Sequence, residues 1–238
     1  MLSFIFILSA LRALFAASEA PWPATDDPVI RETREAGAFT GIQVGGAFKI
    51  FITQTGTPSV EVEADEEIMP YIRTEVVDGI LRVGLKKCPE VCMNHVKVLH
   101  VYLTVADLKS LDLSGAVEIS CKNQIAVDNV RVDMSGAVEA DLNFAVTGLE
   151  MELSGACEID LKGTGQNLNI QASGASELNA FDFAAKAVNV FASGANETNV
   201  HASGTLKVKV SGACDVRYKG TATVDVYSSG ASSVRRVE

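Results

Sequence analysis

Apolar and polar residues alternate with a period of two through most of the chain beyond residue 110. Val130/Val132, Leu149/Met151, Leu168/Ile170, Val188/Val190, Leu206/Val208 and Val224/Val226 are apolar pairs, with polar residues such as Arg131, Asp133, Asn169 and Gln171 between or beside them. This phase turns one face inward and one outward, the pattern of a half-buried strand. Each pair runs into the same tripeptide. Ser-Gly-Ala begins at Ser114, Ser135, Ser154, Ser173, Ser193, Ser211 and Ser229, at spacings of 21, 19, 19, 20, 18 and 18 residues. After the tripeptide the alternation resumes, in Ala140/Leu142, Ile159/Leu161, Leu178/Ala180 and Val216/Tyr218. A second break falls half a period later, at Gly163-Thr164-Gly165, Ser203-Gly204 and Gly220-Thr221. Each repeat therefore reads as two short strands and two bends. Gly115, Gly136, Gly155, Gly174, Gly194, Gly212 and Gly230 are the expected bend residues, because glycine turns where a β-carbon would obstruct.

One such unit cannot bury its apolar face alone, whereas stacked units share a continuous interior. Seven tripeptides at a strand spacing of ~4.8 Å give a prism about 30 Å long. The expected fold is all-β: a β-solenoid over residues 111–238. A left-handed hexapeptide β-helix fits less well, since the spacing drifts from 18 to 21 and each repeat shows two breaks, not three. Variable rungs suit a right-handed parallel β-helix or a flattened relative of it.

Residues 38–110 lack the tripeptide but remain strand-rich. Strands are predicted around 39–52, 59–64, 80–85 and 96–105. Asp65 to Val77 is read as a short helix with Asp65 as N-cap, opposed by Pro70 inside it. Gly45-Gly46-Ala47 resembles the later bends, so this part is either a set of degenerate rungs or a cap closing the solenoid's open edge. Residues 21–37, with three prolines and mixed charge, read as a linker.

Residues 1–20 read as a secretory signal: Leu2 to Ala17 is largely apolar and Ser18-Glu19-Ala20 ends in a small residue. The run is shorter than the ~20 apolar residues a membrane span needs, and no later segment is long and apolar enough. Export to the periplasm, the outer envelope or the medium is expected. With 30 acidic against 20 basic residues the net charge is −10, which argues against binding nucleic acid phosphates. The apolar fraction of 47% against 21% charged excludes intrinsic disorder. Five cysteines do not make an even disulfide set. Cys88 and Cys92 are close enough for a local bridge in an oxidising compartment; as metal ligands they would need more partners than His95 and His100 provide. Cys157 and Cys214 occupy equivalent places three repeats apart, about 14 Å at ~4.8 Å per rung, so both are expected to remain free and inward-facing.

The second residue after each tripeptide is acidic in six repeats: Glu118, Glu139, Glu158, Glu177, Glu197 and Asp215. Asp141 and Asp160 extend the stripe. A solenoid aligns these into a column, read either as a cation ladder, calcium for instance, or as a solvated wall that discourages sideways strand pairing. The second reading is favoured, and neither a bound metal nor a cofactor is expected. Glu177, Glu197, Asp215 and Arg217 could be assembled into a lyase or hydrolase set, but acids recurring in every rung describe a repeat, not a site. His201 alone within the repeats is a poor general base, and no nucleophile elbow or P-loop is present. No catalytic residue is assigned. Phe191 and Tyr227 fall at outward positions, where a ring stacks on a sugar, a partner protein or a second copy of the chain in a homo-oligomer.

The opening Phe39-Thr-Gly-Ile-Gln-Val-Gly-Gly-Ala-Phe, the Val76-Val-Asp-Gly-Ile-Leu-Arg-Val segment and the serial Ser-Gly-Ala bends resemble the bacterial auto-transporter adhesin head GIN domain family over roughly residues 38–235. The sequence carries Gly41-Ile42-Gln43 where the family has Gly-Ile-Asn, and Ser-Gly-Ala where its bends are of a Gly-Ser-Gly type. The resemblance implies a right-handed β-helix similar to pectin-lyase folds, with no catalytic set and a role in adhesion. The expected function is a non-catalytic, exported envelope protein that binds a protein or glycan along its solenoid wall. The competing expectation is a carbohydrate-active enzyme on the same frame.

Overall fold

A computed structural model describes residues 28–87 and 96–237. The secretory segment and the Cys88, Cys92 and His95 readings lie outside the described residues. The strands are β1 (Val29–Arg34), β2 (Gly41–Gln54), β3 (Ser59–Asp65), β4 (Ile72–Val77), β5 (Ile80–Leu85), β6 (Leu99–Val105) and β7 (Ser110–Cys121). They continue as β8 (Ile125–Gly174), β9 (Glu177–Gly194), β10 (Glu197–Gly212), β11 (Asp215–Lys219), β12 (Thr223–Gly230) and β13 (Ser233–Arg236). Strand β8, at 50 residues, bends through more than two repeats without losing its ladder.

From β7 onward the rungs stack in parallel and in register at the Ser-Gly bend, with register shifts between Asp160 and Gly163, between Val200 and His201 and between Ala202 and Thr205. The inward residues three before the first six serines, Leu111, Val132, Met151, Ile170, Val190 and Val208, form a fully buried column that ends at the exposed Val226 of the last rung. Ile119, Ala140, Ile159, Leu178, Thr198 and Val216 form its counterpart beyond the bend, with Thr198 a buried polar member of an otherwise apolar column. Aliphatic burial of about 1.5–3 kcal/mol per large side chain thus accrues rung by rung, and the fold is a parallel β-solenoid of about six turns.

The tripeptide's chemistry is visible at the bend. The seven glycines have φ between +77° and +108°, where L side chains are strained. A β-carbon on any of them would also stand 2.4–2.7 Å from the carbonyl oxygen of the glycine one rung earlier. The serine hydroxyl tethers adjacent rungs: Ser114 Oγ donates to the Val44 carbonyl at 3.1 Å, and Ser135 and Ser173 donate to Leu113 and Leu153 at 3.4 Å. The first residue after the tripeptide points inward, and in the last three rungs its side chain donates back to the serine carbonyl. Asn196 does so at 2.6 Å, Cys214 at 3.3 Å and Ser232 at 3.0 Å.

The N-terminal part is both rung and cap. Gly46 stands in register with Gly115, so β2 is the first turn of the stack. The other edge of β2 is covered by two parallel strands, β5 on Gly41–Val44 and β6 on Lys49–Gln54. Beyond them the pairing turns antiparallel: β4 on β5, β3 on β6, β1 on β3. Two expectations are corrected. The stretch read as a linker contributes β1; its sequence VIRETR lacks clean apolar alternation, and it is held by the edge of β3 and an Arg31–Glu61 ion pair at 2.9 Å. The helix over Asp65–Val77 does not form. Only a 3-10 turn, Met69–Tyr71, follows Ile68 before β4 begins, with Pro70 inside the turn. Asp65 does not cap a helix. Its buried carboxylate accepts the Lys97 and Val98 backbone N–H groups at 2.6 and 3.1 Å, pinning the entry to β6.

Candidate functional site

The solenoid presents two outward walls separated by the glycine bend. On the wall after the bend, Glu118, Glu139, Glu158, Glu177, Glu197 and Asp215 align in register as one column. The ends of the column are neutralised. Lys49, the register neighbour of Glu118, pairs with it. Arg217 bridges Glu197 at 2.7 Å and Asp215 at 3.0 Å, and Arg235 reaches Asp215 at 3.1 Å. The next column outward is partly compensated: Lys162 pairs with Asp141 at 3.1 Å and the Asn179 amide donates to Asp160 at 2.9 Å. In the middle, burial raises the pKa of Glu177, with the charges of Glu197, Glu158 and Asp160 adding to it and Arg217 opposing. Among the described residues no three His, Cys, Asp or Glu side chains converge as a metal site. The structure does bring Glu177, Glu197, Asp215 and Arg217 together, but as three consecutive acids of one column on an outer wall, with Arg217 reaching Glu197 and Asp215 from the column beside it. His201 is only partly exposed and belongs to no such group.

Cys157 and Cys214 are free, buried and inward-facing, as their spacing required. Burial pushes the Cys157 thiol pKa up and takes that of Cys121 to about 11. These thiols are poor nucleophiles.

The wall before the bend carries a groove of about 690 Å³ that runs along the stack axis. One side is the serine column from Ser135 to Ser229. The floor is formed by the residues just before those serines, among them Leu153, Ala172, Ala192 and Val210. The other side is the column two residues before each serine: Asp112, Asp133, Glu152, Gln171, Phe191, Lys209 and Tyr227. At ~4.8 Å per rung this column is nearly 30 Å long. Its two halves differ in chemistry. At the N-terminal end the carboxylates are occupied: Gln43 donates to Asp112 at 3.0 Å, and Arg131 bonds Asp133 and Glu152 at 2.9 Å each. At the C-terminal end Phe191 is 39% exposed and Tyr227 58% exposed. Lys209 lies between them and makes no ion pair among the described residues.

The outward phase of Phe191 and Tyr227 was legible in the sequence, but the groove that joins them was not. Asp133, Glu152, Gln171 and Lys209 complete its wall. Reading the residue two before each serine down the repeats finds them. A further cluster without a sequence signal sits where the cap meets the first rung. Phe51 stacks on Tyr102 at 4.9 Å, Arg31 covers Tyr102 at 4.0 Å, and Lys122 covers Phe51 at 4.1 Å. The Tyr102 hydroxyl donates to Glu63 at 2.7 Å, which lowers the Glu63 pKa, with His100 adding to it. Its rings are covered by their own cations, so it reads as a clasp holding the cap.

The architecture has solved counterparts. A structure described as a "putative adhesin" from Bacteroides fragilis superposes with a TM-score of 0.77 at 20% identity, covering 89% of this chain and 98% of that one. A "putative lipid binding protein" from Parabacteroides distasonis gives 0.71 at 21% identity, covering 90% and 98%. A "putative adhesin" from Parabacteroides merdae gives 0.70 at 20% identity, again covering 90% and 98%. These likenesses concern the fold. No curated protein matches the sequence. The family model described as "Putative auto-transporter adhesin, head GIN domain" matches residues 38–222, and the chain belongs to that family.

Proposed function

We propose that this protein is an exported, non-catalytic binding module of the bacterial envelope that engages an extended partner along the groove beside its serine column. The observation that carries the reading is the continuity of that groove across successive rungs, since equivalent positions recurring at ~4.8 Å let weak contacts add along a chain-like ligand. Catalysis is the weaker reading. An acid or base must be positioned at one reacting bond, whereas Asp133 and Glu152 are tied to Arg131 and Asp112 to Gln43. Glu177, whose carboxyl is shifted toward the protonated form, stands outside the groove on the other wall. Membership of an adhesin head family supports an exported location.

The test is a glycan and matrix-protein binding array probed with the protein, with release of reducing ends measured in parallel on every polysaccharide that binds. Capture without turnover is expected. Turnover that disappears when one or two carboxylates of a single rung are changed would replace this reading with a carbohydrate-active enzyme.

A further inference from the structure

Within the groove reading above, on which this inference rests, the side chains also define the occupant. We propose that the C-terminal half of the groove binds an acidic glycan, with Lys209 holding the anionic group of one sugar and Phe191 and Tyr227 stacking on sugars to either side.

Three features converge on this. First, Phe191, Lys209 and Tyr227 are direct register neighbours in one column, so the two rings flank the ammonium at about 4.8 Å per step. At twice that distance neither ring can cover the other, because ring pairs meet at centroid separations of roughly 4.5–7 Å. Both are left exposed. Exposed rings interleaved with hydrogen-bonding side chains suit pyranose faces, and Gln171 and the serine hydroxyls supply polar groups beside them. Second, the charge is complementary to an anion at this end only. The chain carries a net charge of −10, yet Lys209, which lines the groove, makes no ion pair among the described residues. The opposite end holds Asp112, Asp133 and Glu152. An acidic ligand is therefore favoured at the Lys209 end over the Asp112 end.

Third, other extended ligands match less well. A peptide added as a strand needs free backbone groups, but around Lys209 the strands pair on both sides, β10 with β9 and with β12. An acyl chain needs continuous apolar enclosure, whereas this groove has serines on one side and Asp, Glu, Gln and Lys on the other.

Calorimetric titration of the full chain tests the proposal, with oligogalacturonate, sialylated and phosphorylated oligosaccharides as acidic probes. Cellohexaose serves as the neutral probe and palmitate as the acyl probe. Acidic oligosaccharides are expected to bind, more weakly as salt screens the contact. Lys209→Gln is expected to weaken them about tenfold, the loss of one hydrogen bond to a charged group. Phe191→Ala and Tyr227→Ala should each weaken acidic and neutral sugars alike, while Glu139→Gln on the other wall changes nothing. Equal binding of neutral and acidic sugars, indifferent to Lys209→Gln, would overturn the anionic assignment and leave the groove reading standing. Palmitate binding that is lost in Phe191→Ala would assign the groove to an acyl chain and overturn the glycan. Binding of no acidic probe would also overturn this proposal, and the groove reading would then be decided separately by whether Ser193→Trp, which fills the channel, abolishes capture on the array.

Discussion

Replacing Gly174 by valine tests the physical basis of the stack. Gly174 has φ +98°, and a β-carbon there would lie 2.7 Å from the Gly155 carbonyl oxygen and 3.0 Å from its nitrogen. The substitution brings two costs. Holding a β-branched residue at that φ costs about 1–3 kcal/mol, and relieving the clash by shifting two rungs costs about 1–3 kcal/mol. The shift also strains the ladder on both sides, because Ala175 N–H donates to Gly155 and Ala195 N–H to Gly174, each at 2.9 Å. A total of roughly 2–6 kcal/mol, at about 2–4 °C per kcal/mol for a chain of this size, lowers Tm by about 10 °C. Glu177→Gln, three residues away, relieves like-charge repulsion of about 1 kcal/mol in water at rung spacing and should leave Tm unchanged or slightly raised. Circular dichroism melts of both variants beside the parent measure this. A Gly174→Val protein melting within 2 °C or so of the parent would refute the argument. So would a larger loss in Glu177→Gln, above all one restored by calcium, which would make the acidic column a structural cation site.

Because burial and acidic neighbours raise the Glu177 pKa in the folded state, the folded protein holds that proton more tightly than the unfolded chain. Its contribution therefore destabilises as pH rises from about 4.5, the ordinary value, through the raised one. The gain from Glu177→Gln should be present at pH 7 and gone at pH 3.5, and a gain independent of pH would exclude this titration as its cause. Cys157 and Cys214 should resist alkylation until urea unfolds the chain, and peptide mapping should recover both as thiols; a Cys157–Cys214 bridge would contradict the parallel register. Asp65→Ala removes a buried carboxylate that accepts from two part-buried backbone N–H groups and should cost about 1–3 kcal/mol in urea titration; no loss would show that water replaces the carboxylate.

The stacked region was readable because its constraints repeat. Gly174 has the same geometry as Gly155 and Gly194, so the tripeptide recurs wherever the bend does. The cap was harder to read because its constraints occur once. Asp65 followed by a run of acidic and apolar residues has the local signature of a helix start, but a tertiary requirement, the N–H groups of Lys97 and Val98 some thirty residues later, claims the carboxylate. In β1 only Ile30 is apolar among the inward-phase residues Ile30, Glu32 and Arg34, so its pairing with β3 leaves almost no periodic trace. The acidic column was visible as a pattern, whereas its neutralisation by Lys49, Arg217 and Arg235 depends on which residues the stacking brings alongside. The groove lay between these cases. Its members are spaced as regularly as the acids, but their chemistry changes from Asp112 to Tyr227, so no single residue type marks the column.

The central claim is that partners bind in the axial groove and not on the acidic wall. The most direct measurement compares capture on the glycan and matrix array by the parent protein, by Ser193→Trp, which fills the groove at mid-length, and by Glu139→Trp, which places the same bulk on the other wall. Both positions point outward, so melting curves should match the parent's. The account predicts that Ser193→Trp loses capture while Glu139→Trp keeps it. Retention by Ser193→Trp with loss by Glu139→Trp would move the binding surface to the acidic wall and contradict the account.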